Sequence, residues 1–286
     1  MPTRLTACGQ TDRGIVRAHN EDAFVIADLA GSDLGGTISR FEIGKRGVLL
    51  AVSDGMGGHQ AGEVASALVL ESLARSMAGQ TVGEEPDALM EKATTQANHD
   101  VWEAAHHPGR EHMGATLTAV FIRDTVAHIA TVGDSRAYLV RNGVIKQVSH
   151  DQSYVQFLLD TGVMSPEEAK HSAVRNVILQ AMGVKPDVTV ALGRLELRQR
   201  DCFLLCSDGL SNKVNDDELR DLVLTSSKVA EAAAKMIALA NKRGGEDNIT
   251  VIVAGVSGDL LPLVAGERIS RTWHVLKDFD AASPQA

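Results

Sequence analysis

Leu117-Thr118-Ala119-Val120-Phe121-Ile122, then Arg123-Asp124-Thr125, then Val126-Ala127-His128-Ile129-Ala130-Thr131-Val132: on this stretch the choice of fold turns. Two apolar runs rich in β-formers and parted by three polar residues read as an antiparallel hairpin. Tyr138 to Val140, followed by Asn142-Gly143, reads the same way. Parallel neighbours would need a long crossover between them, and three residues leave no room for one. Working outward, further β-type runs lie at 47–52, 115–122, 144–148, 188–194, 202–206 and 249–256.

Helical periodicity falls outside the strands. Ala61, Val64, Ala65, Leu68, Val69, Leu73 and Met77 recur at i, i+3 and i+4 with Gly79 as a stop, which predicts an amphipathic helix over 60–78. A second is expected at about 87–104. Asn215 with Glu218 makes a capping-box pattern ahead of Leu219, Leu222 and Val223, and a further helix should run over about 228–241. Helix pairs that bracket antiparallel strands favour an α+β class over a doubly wound sheet. The expected form is a four-layer α-β-β-α sandwich of two antiparallel sheets flanked by helix pairs. Ser165, Pro166 and Glu168 supply the start of a short helix inside a helical insertion at about 151–183. The Gly- and Ser-rich segment 29–46 reads as a loop or hairpin excursion, residues 1–257 as one domain, and 258–286, with Trp273 and Phe279, as a tail to which no role is assigned.

Composition narrows the function. Of 286 residues, 44% are hydrophobic and 23% charged, which suits a globular chain with a sizeable core. A formal charge of −9 supplies no basic stripe, so nucleic acid is not an expected partner. Three cysteines do not make a disulfide framework, and Cys202 and Cys206, four apart on one strand face, suit core packing in a reducing compartment. No signal-like or membrane-spanning apolar run is present, so a cytoplasmic protein without a membrane partner is expected.

Two segments repeat one design: Leu49-Leu50-Ala51-Val52-Ser53-Asp54-Gly55-Met56 and Phe203-Leu204-Leu205-Cys206-Ser207-Asp208-Gly209-Leu210. Asp-Gly alone is a common turn pair. A buried strand that ends in Ser-Asp-Gly twice is less ordinary, because a carboxylate on a rigid strand end is well placed to ligate a hard cation. Asp134 in Gly133-Asp134-Ser135-Arg136, Asp247 in Gly245-Glu246-Asp247-Asn248 and Asp22 in Asn20-Glu21-Asp22 occupy similar positions. All of them read equally well as solvated turns taken singly. If they converge, like charges raise one another's pKa unless cations neutralise them. An all-oxygen set without a nearby thiolate selects Mg²⁺ or Mn²⁺ over zinc.

From about Cys8 to Val256 the chain resembles the protein phosphatase type 2C (PPM) family of metal-dependent serine/threonine phosphatases, and in particular its bacterial branch. The motifs that carry the resemblance come in order: Thr11-Asp12-Arg13-Gly14 with Arg17 and Asn20-Glu21-Asp22; Ser53-Asp54-Gly55-Met56-Gly57-Gly58-His59; Gly114-Ala115-Thr116-Leu117; Gly133-Asp134-Ser135-Arg136; Ser207-Asp208-Gly209; and Asp247-Asn248-Ile249-Thr250. The resemblance implies that Asp54 bridges two Mn²⁺ or Mg²⁺ ions, that the Gly55 carbonyl binds one of them, and that Asp208 and Asp247 complete the other. Asp22 would orient water, and a third, weaker ion would lie between Asp134 and Asp208. A hydroxide shared by the ions would then attack phosphorus in line, with no covalent phosphoenzyme. Arg17 would grip phosphate oxygens, and His59, beside the Asp54 loop, is the candidate general acid. His106, His107 and His112 match no ligand spacing and read as a solvated loop.

The implied substrates are phosphorylated proteins, the implied counterpart a bacterial Ser/Thr kinase, and the expected state a monomer. A pseudophosphatase that binds phosphorylated partners without hydrolysis is the alternative, and a two-metal hydrolase of small esters a third reading. No P-loop, Cys-x5-Arg or His-Glu-x-x-His signature competes. The insertion would be the family's flap. Where relatives often carry His-Pro before an arginine, this chain has His171-Ser172-Ala173-Val174-Arg175-Asn176. Loss of the proline frees the backbone, so low hydrogen-exchange protection is expected across 160–180.

Overall fold

The computed structural model describes residues 2–30, 37–57, 60–79, 83–170, 172–264 and 266–281. The chain opens with β1 (Arg4–Asp12), β2 (Asp22–Asp28), β3 (Ile38–Glu42) and β4 (Val48–Met56), followed by α1 (Gln60–Ala78) and α2 (Pro86–Ala105). A two-residue strand β5 (Gly114–Ala115) leads to the hairpin β6 (Leu117–Arg123) and β7 (Val126–Val132), then to β8 (Arg136–Arg141) and β9 (Val144–Gln147). Arg123 pairs with Val126 around Asp124, whose φ is +54°. Asn142 and Gly143 both have positive φ, at 52° and 73°, as a type I′ hairpin turn requires.

The insertion carries α3 (Tyr154–Asp160) and α4 (Pro166–Lys170). No side chain of α3 is buried, which suits a lightly held element; His171 lies outside the described residues. Next come β10 (Ala191–Glu196), β11 (Cys202–Cys206), the single turn α5 (Asp208–Ser211), α6 (Asp216–Thr225), α7 (Val229–Lys242), β12 (Ile249–Ser257) and β13 (Trp273–Lys277). The strand expected at 188–194 starts later, because the Thr189 N–H donates to Gln180 Oε1 at 2.7 Å instead of joining a ladder.

Two antiparallel sheets result, in the orders β3-β1-β12-β11-β8-β9 and β13-β10-β7-β6-β4-β2. Leu5, Ile26, Leu50, Val120, Phe203 and Ile252 fill the space between them. On the outer face of one sheet, α1 and α2 bury Val69, Leu73 and Met90 against Leu49 and Phe121. On the outer face of the other, α6 and α7 bury Leu219 and Met236 against Leu204 and Val251. Three apolar layers between four structural ones make the α-β-β-α sandwich. The capping box is formed: Asn215 Oδ1 accepts from the Glu218 N–H, and Glu218 accepts from the Asn215 N–H. Cys206 is buried and Cys202 half-buried in the layer under α6 and α7, where burial pushes both thiols up to about 12.

The 29–46 excursion and the tail, in which sequence reading placed no defined strand, each hold a paired one. Within 29–46, β3 pairs with β1, while 31–36 lie outside the described residues. Within 258–286, Trp273–Lys277 pairs with β10 and extends that sheet. Gly193 makes the second pairing possible, since a Cβ there would stand 1.9 Å from the Trp273 ring.

Candidate active site

β2 and β4 pair in register so that Asp22 stands opposite Asp54. Asp54 is held from behind by Thr116, whose Oγ1 accepts from the Asp54 N–H at 3.0 Å and whose own N–H donates to the Asp54 carbonyl at 2.8 Å. Thr116 Oγ1 also meets Ser135 Oγ at 2.7 Å, so the motif around Asp134 braces the motif around Asp54. Gly55 follows in a position no other residue fits: a Cβ would stand 2.1 Å from the Gly62 carbonyl oxygen and 2.7 Å from that of Glu21.

From the other sheet, Ser207 Oγ donates to Asp22 Oδ2 at 2.7 Å and accepts from the Thr250 N–H at 3.0 Å. Asp208 begins α5, and Asn212 Nδ2 donates to its Oδ2 at 3.1 Å. Asp247 Oδ2 lies 2.8 Å from the Arg17 guanidinium. The Arg17 loop is itself clamped by Asn248, whose Oδ1 accepts from the Glu21 N–H and whose Nδ2 donates to the carbonyls of Arg13 and His19. Asp134 sits beside the Arg136–Asp151 ion pair, in which Nη2 and Oδ2 are 2.6 Å apart.

Asp22, Asp54, Asp134, Asp208 and Asp247 thus come from separate segments to one place, and their electrostatics show it. Burial pushes Asp22 up to about 7, with Asp208 and Asp247 adding to the rise against the hydrogen bonds from Ser207 and Thr250. Asp134 is likewise raised to about 7 by burial, then by Asp208 and Asp151. Asp208 is raised to about 6 by burial and by Asp247. Asp54 lies well above the ordinary carboxylate range, through burial and then through Asp22, Asp208, Asp134 and Asp247. Asp22 Oδ1 and Asp208 Oδ1 are buried without a hydrogen-bond partner. Among the described residues, no three His, Cys, Asp or Glu side chains are arranged so that they could hold a metal ion as they stand. The arrangement is a shared acidic patch with unmet acceptor capacity, and its donor set, oxygen throughout, fits hard divalent cations.

A cleft of about 610 Å³ leads away from Asp134 and Asp208 between Ser153, Gln156 and Arg175 of the insertion and Asp216 at the start of α6. His59 lies outside the described residues. Sequence reading assigned no part to Ser207, Thr116 or Asn248, although each stood inside a motif already singled out. For Ser207 and Asn248 the signal was their place beside an aspartate, whereas Thr116 has none next to it; for all three the partners were hidden.

Comparison with known proteins bears on the same residues. Residues 18–250 match the family model described as protein phosphatase 2C. The chain is 38% identical over 270 residues to the serine/threonine protein phosphatase PstP of Mycobacterium tuberculosis, covering 92% of this chain and 48% of that protein. It therefore spans about half the length of that relative. It is 37% identical over 248 residues to the serine/threonine phosphatase stp of Listeria innocua, covering 85% of this chain and 93% of that one. In three dimensions it matches the M. tuberculosis PstP/Ppp crystal structure with a TM-score of 0.77 at 38% identity, covering 89% of this chain and 100% of that chain. A structure of the PstP catalytic domain in complex with two manganese ions matches with a TM-score of 0.75 at 37% identity, covering 90% and 100%.

Proposed function

The chain belongs to the protein phosphatase 2C family, and from that premise we propose that it is a metal-dependent phosphatase that hydrolyses phosphoserine and phosphothreonine on other proteins. The observation that carries this reading is the buried convergence of Asp22, Asp54, Asp134 and Asp208, whose carboxylates raise one another's proton affinity while two of their oxygens lack partners. Such a patch is costly unless cations share it.

In this reading Asp54, the Gly55 carbonyl, Asp208 and Asp247 would hold two Mn²⁺ or Mg²⁺ ions, and Asp134 with Asp208 would hold a third. Bound there, the ions supply the charge that activates water and offsets the phosphoryl oxygens. The chain's own groups do the rest. Asp22, fixed by the Ser207 hydroxyl, positions the attacking water through its free oxygen. Arg17, half-exposed beside Asp247, offers a planar guanidinium to the phosphate. His59 remains the proposed general acid for the leaving oxygen.

The finer expectations, action as a monomer in the cytoplasm on proteins phosphorylated by a Ser/Thr kinase, rest on the family membership. No helix among the described residues is long and apolar enough to cross a membrane, and the charge of −9 disfavours nucleic acid. The binding-only alternative has no observation in its favour.

Turnover of a phosphothreonine peptide and of p-nitrophenyl phosphate should require Mn²⁺ or Mg²⁺, stop in EDTA, and be lost in Asp208→Asn. Undiminished hydrolysis in EDTA would sink the metal mechanism. Tight phosphopeptide binding without turnover would favour the pseudophosphatase.

A further inference from the structure

Next to Arg17 the surface changes character. Ile15 and Val16 leave 65% and 66% of their area in solvent, although both are apolar side chains whose burial is favourable. Single exposed apolar residues are ordinary; this pair is set apart by its place and by how firmly it is held. The N–H groups of Ile15 and Val16 both donate to the Gly245 carbonyl, at 2.7 and 3.3 Å. Gly14 closes on the same turn so tightly that a Cβ there would stand 2.2 Å from the Asp247 carbonyl oxygen. Asn248 ties down the carbonyls of Arg13 and His19 on either side. The pair is therefore pinned to the turn that carries Asp247, and the residue that follows it is Arg17, whose guanidinium reaches Asp247 at 2.8 Å.

Resting on the phosphatase reading above, we propose that Ile15 and Val16 form an apolar subsite for an aliphatic side chain flanking the phosphoamino acid of the substrate protein. Ile15 and Val16 are held on Gly245, two residues from the Asp247 that Arg17 reaches, so a segment whose phosphate meets Arg17 has its flanking residues, spaced about 3.8 Å apart along the chain, near the pair. Covering apolar area on both partners favours that contact. The loop is already fixed by its backbone bonds, so little ordering is lost on binding. A serine at the flanking position leaves the same area wet. The subsite accordingly discriminates among phosphoproteins by what lies beside the phosphate.

The test uses two phosphothreonine peptides that differ only in carrying leucine or serine on both flanks, with p-nitrophenyl phosphate turnover measured in parallel. The wild-type protein should favour the leucine peptide roughly tenfold in kcat/KM. Ile15→Thr combined with Val16→Thr keeps both β-branches while replacing an apolar group on each with a hydroxyl, and should shrink that preference to about twofold. Ile15→Val combined with Val16→Ile should retain it. Equal kcat/KM for the two peptides, or a preference unchanged in the threonine variant, overturns the subsite while the phosphatase reading stands. Failure of the wild type to hydrolyse either peptide or p-nitrophenyl phosphate with Mn²⁺ overturns the phosphatase reading and the subsite with it.

Discussion

The two Ser-Asp-Gly segments are nearly the same in sequence and are built differently. At Ser53-Asp54-Gly55 the strand does not end: β4 continues to Met56, because β2 and β5 give its backbone partners on both sides. At Ser207-Asp208-Gly209 the strand stops at Cys206, and Asp208 opens a helical turn with Ser207 at its N-cap. The serines diverge accordingly. Ser53 Oγ donates to the Thr116 carbonyl at 2.6 Å and serves the sheet, whereas Ser207 Oγ donates to Asp22 and serves the site. The aspartates diverge too. Asp54 is pressed by Asp22, Asp208, Asp134 and Asp247 at once, while the rise of Asp208 is offset by the Asp54 contact, Arg17 and Arg136. One tripeptide thus supplies a carboxylate from within a continuing strand and another from the first turn of a helix.

The strongest way to break that contrast is to remove each carboxylate. Asp54→Asn should lower kcat by roughly 10³-fold or more and Asp208→Asn by roughly 10²-fold, the scale of losing one charge-stabilising group. Steady-state kinetics at saturating Mn²⁺ check it, and equal losses would say that the two strand ends are interchangeable.

The glycines come next. Gly55→Ala meets the Gly62 carbonyl at 2.1 Å, and Gly209→Ala meets the Asn248 carbonyl at 1.9 Å. Overpacking against backbone costs about 1–3 kcal/mol, so each should lower Tm by several degrees. Thermal melts that leave either variant at the wild-type Tm would contradict the close packing.

Replacing the serines should separate structure from chemistry. Ser207→Ala removes the donor that holds Asp22 and should cut kcat roughly tenfold with a shifted acidic limb in the pH profile. Ser53→Ala should cost about 1 kcal/mol of stability and leave that limb in place. The opposite assignment in paired pH–rate profiles would reverse the roles given to the two hydroxyls.

The smallest effect is a slope. In EDTA the folded chain keeps protons on Asp22 and Asp134 up to about pH 7 and on Asp208 up to about pH 6, whereas the unfolded chain releases them near pH 4. The folded state then binds more protons at these three groups across that window, so their contribution to stability is fully present below about pH 4 and is lost as pH rises toward 7. Melts in EDTA should show the fall, Mn²⁺ should reverse it most at pH 7, and Asp54→Asn should flatten it more than Asp208→Asn. A flat EDTA profile would mean that the patch is not under the strain its burial implies.

Local signals were legible and distant ones were not. The β6–β7 hairpin, the α1 stripe and the Asn215–Glu218 box are set by residues within a few positions of one another, and all were readable. β1 was not, because Thr6, Gln10 and Thr11 dilute its apolar run and its strand character comes from pairing with β3 and β12. β13 was not, because an exposed edge strand has little burial to pattern it. In the site, the duplicated Ser-Asp-Gly drew the eye to the carboxylates. The residues that aim them stayed hidden, since Ser207 acts on Asp22 across 185 positions and Thr116 on Asp54 across 62.

The Trp273 indole lying where Gly193 has no side chain bears on how this protein can be handled. A version shortened to finish at Ser257 would retain every aspartate discussed, yet would strip the border from β10 and leave a flat notch and unmet ladder groups facing water. Bare borders of that kind recruit one another. Such a fragment should lose solubility before it loses chemistry, and its clumping would say nothing about the acidic patch.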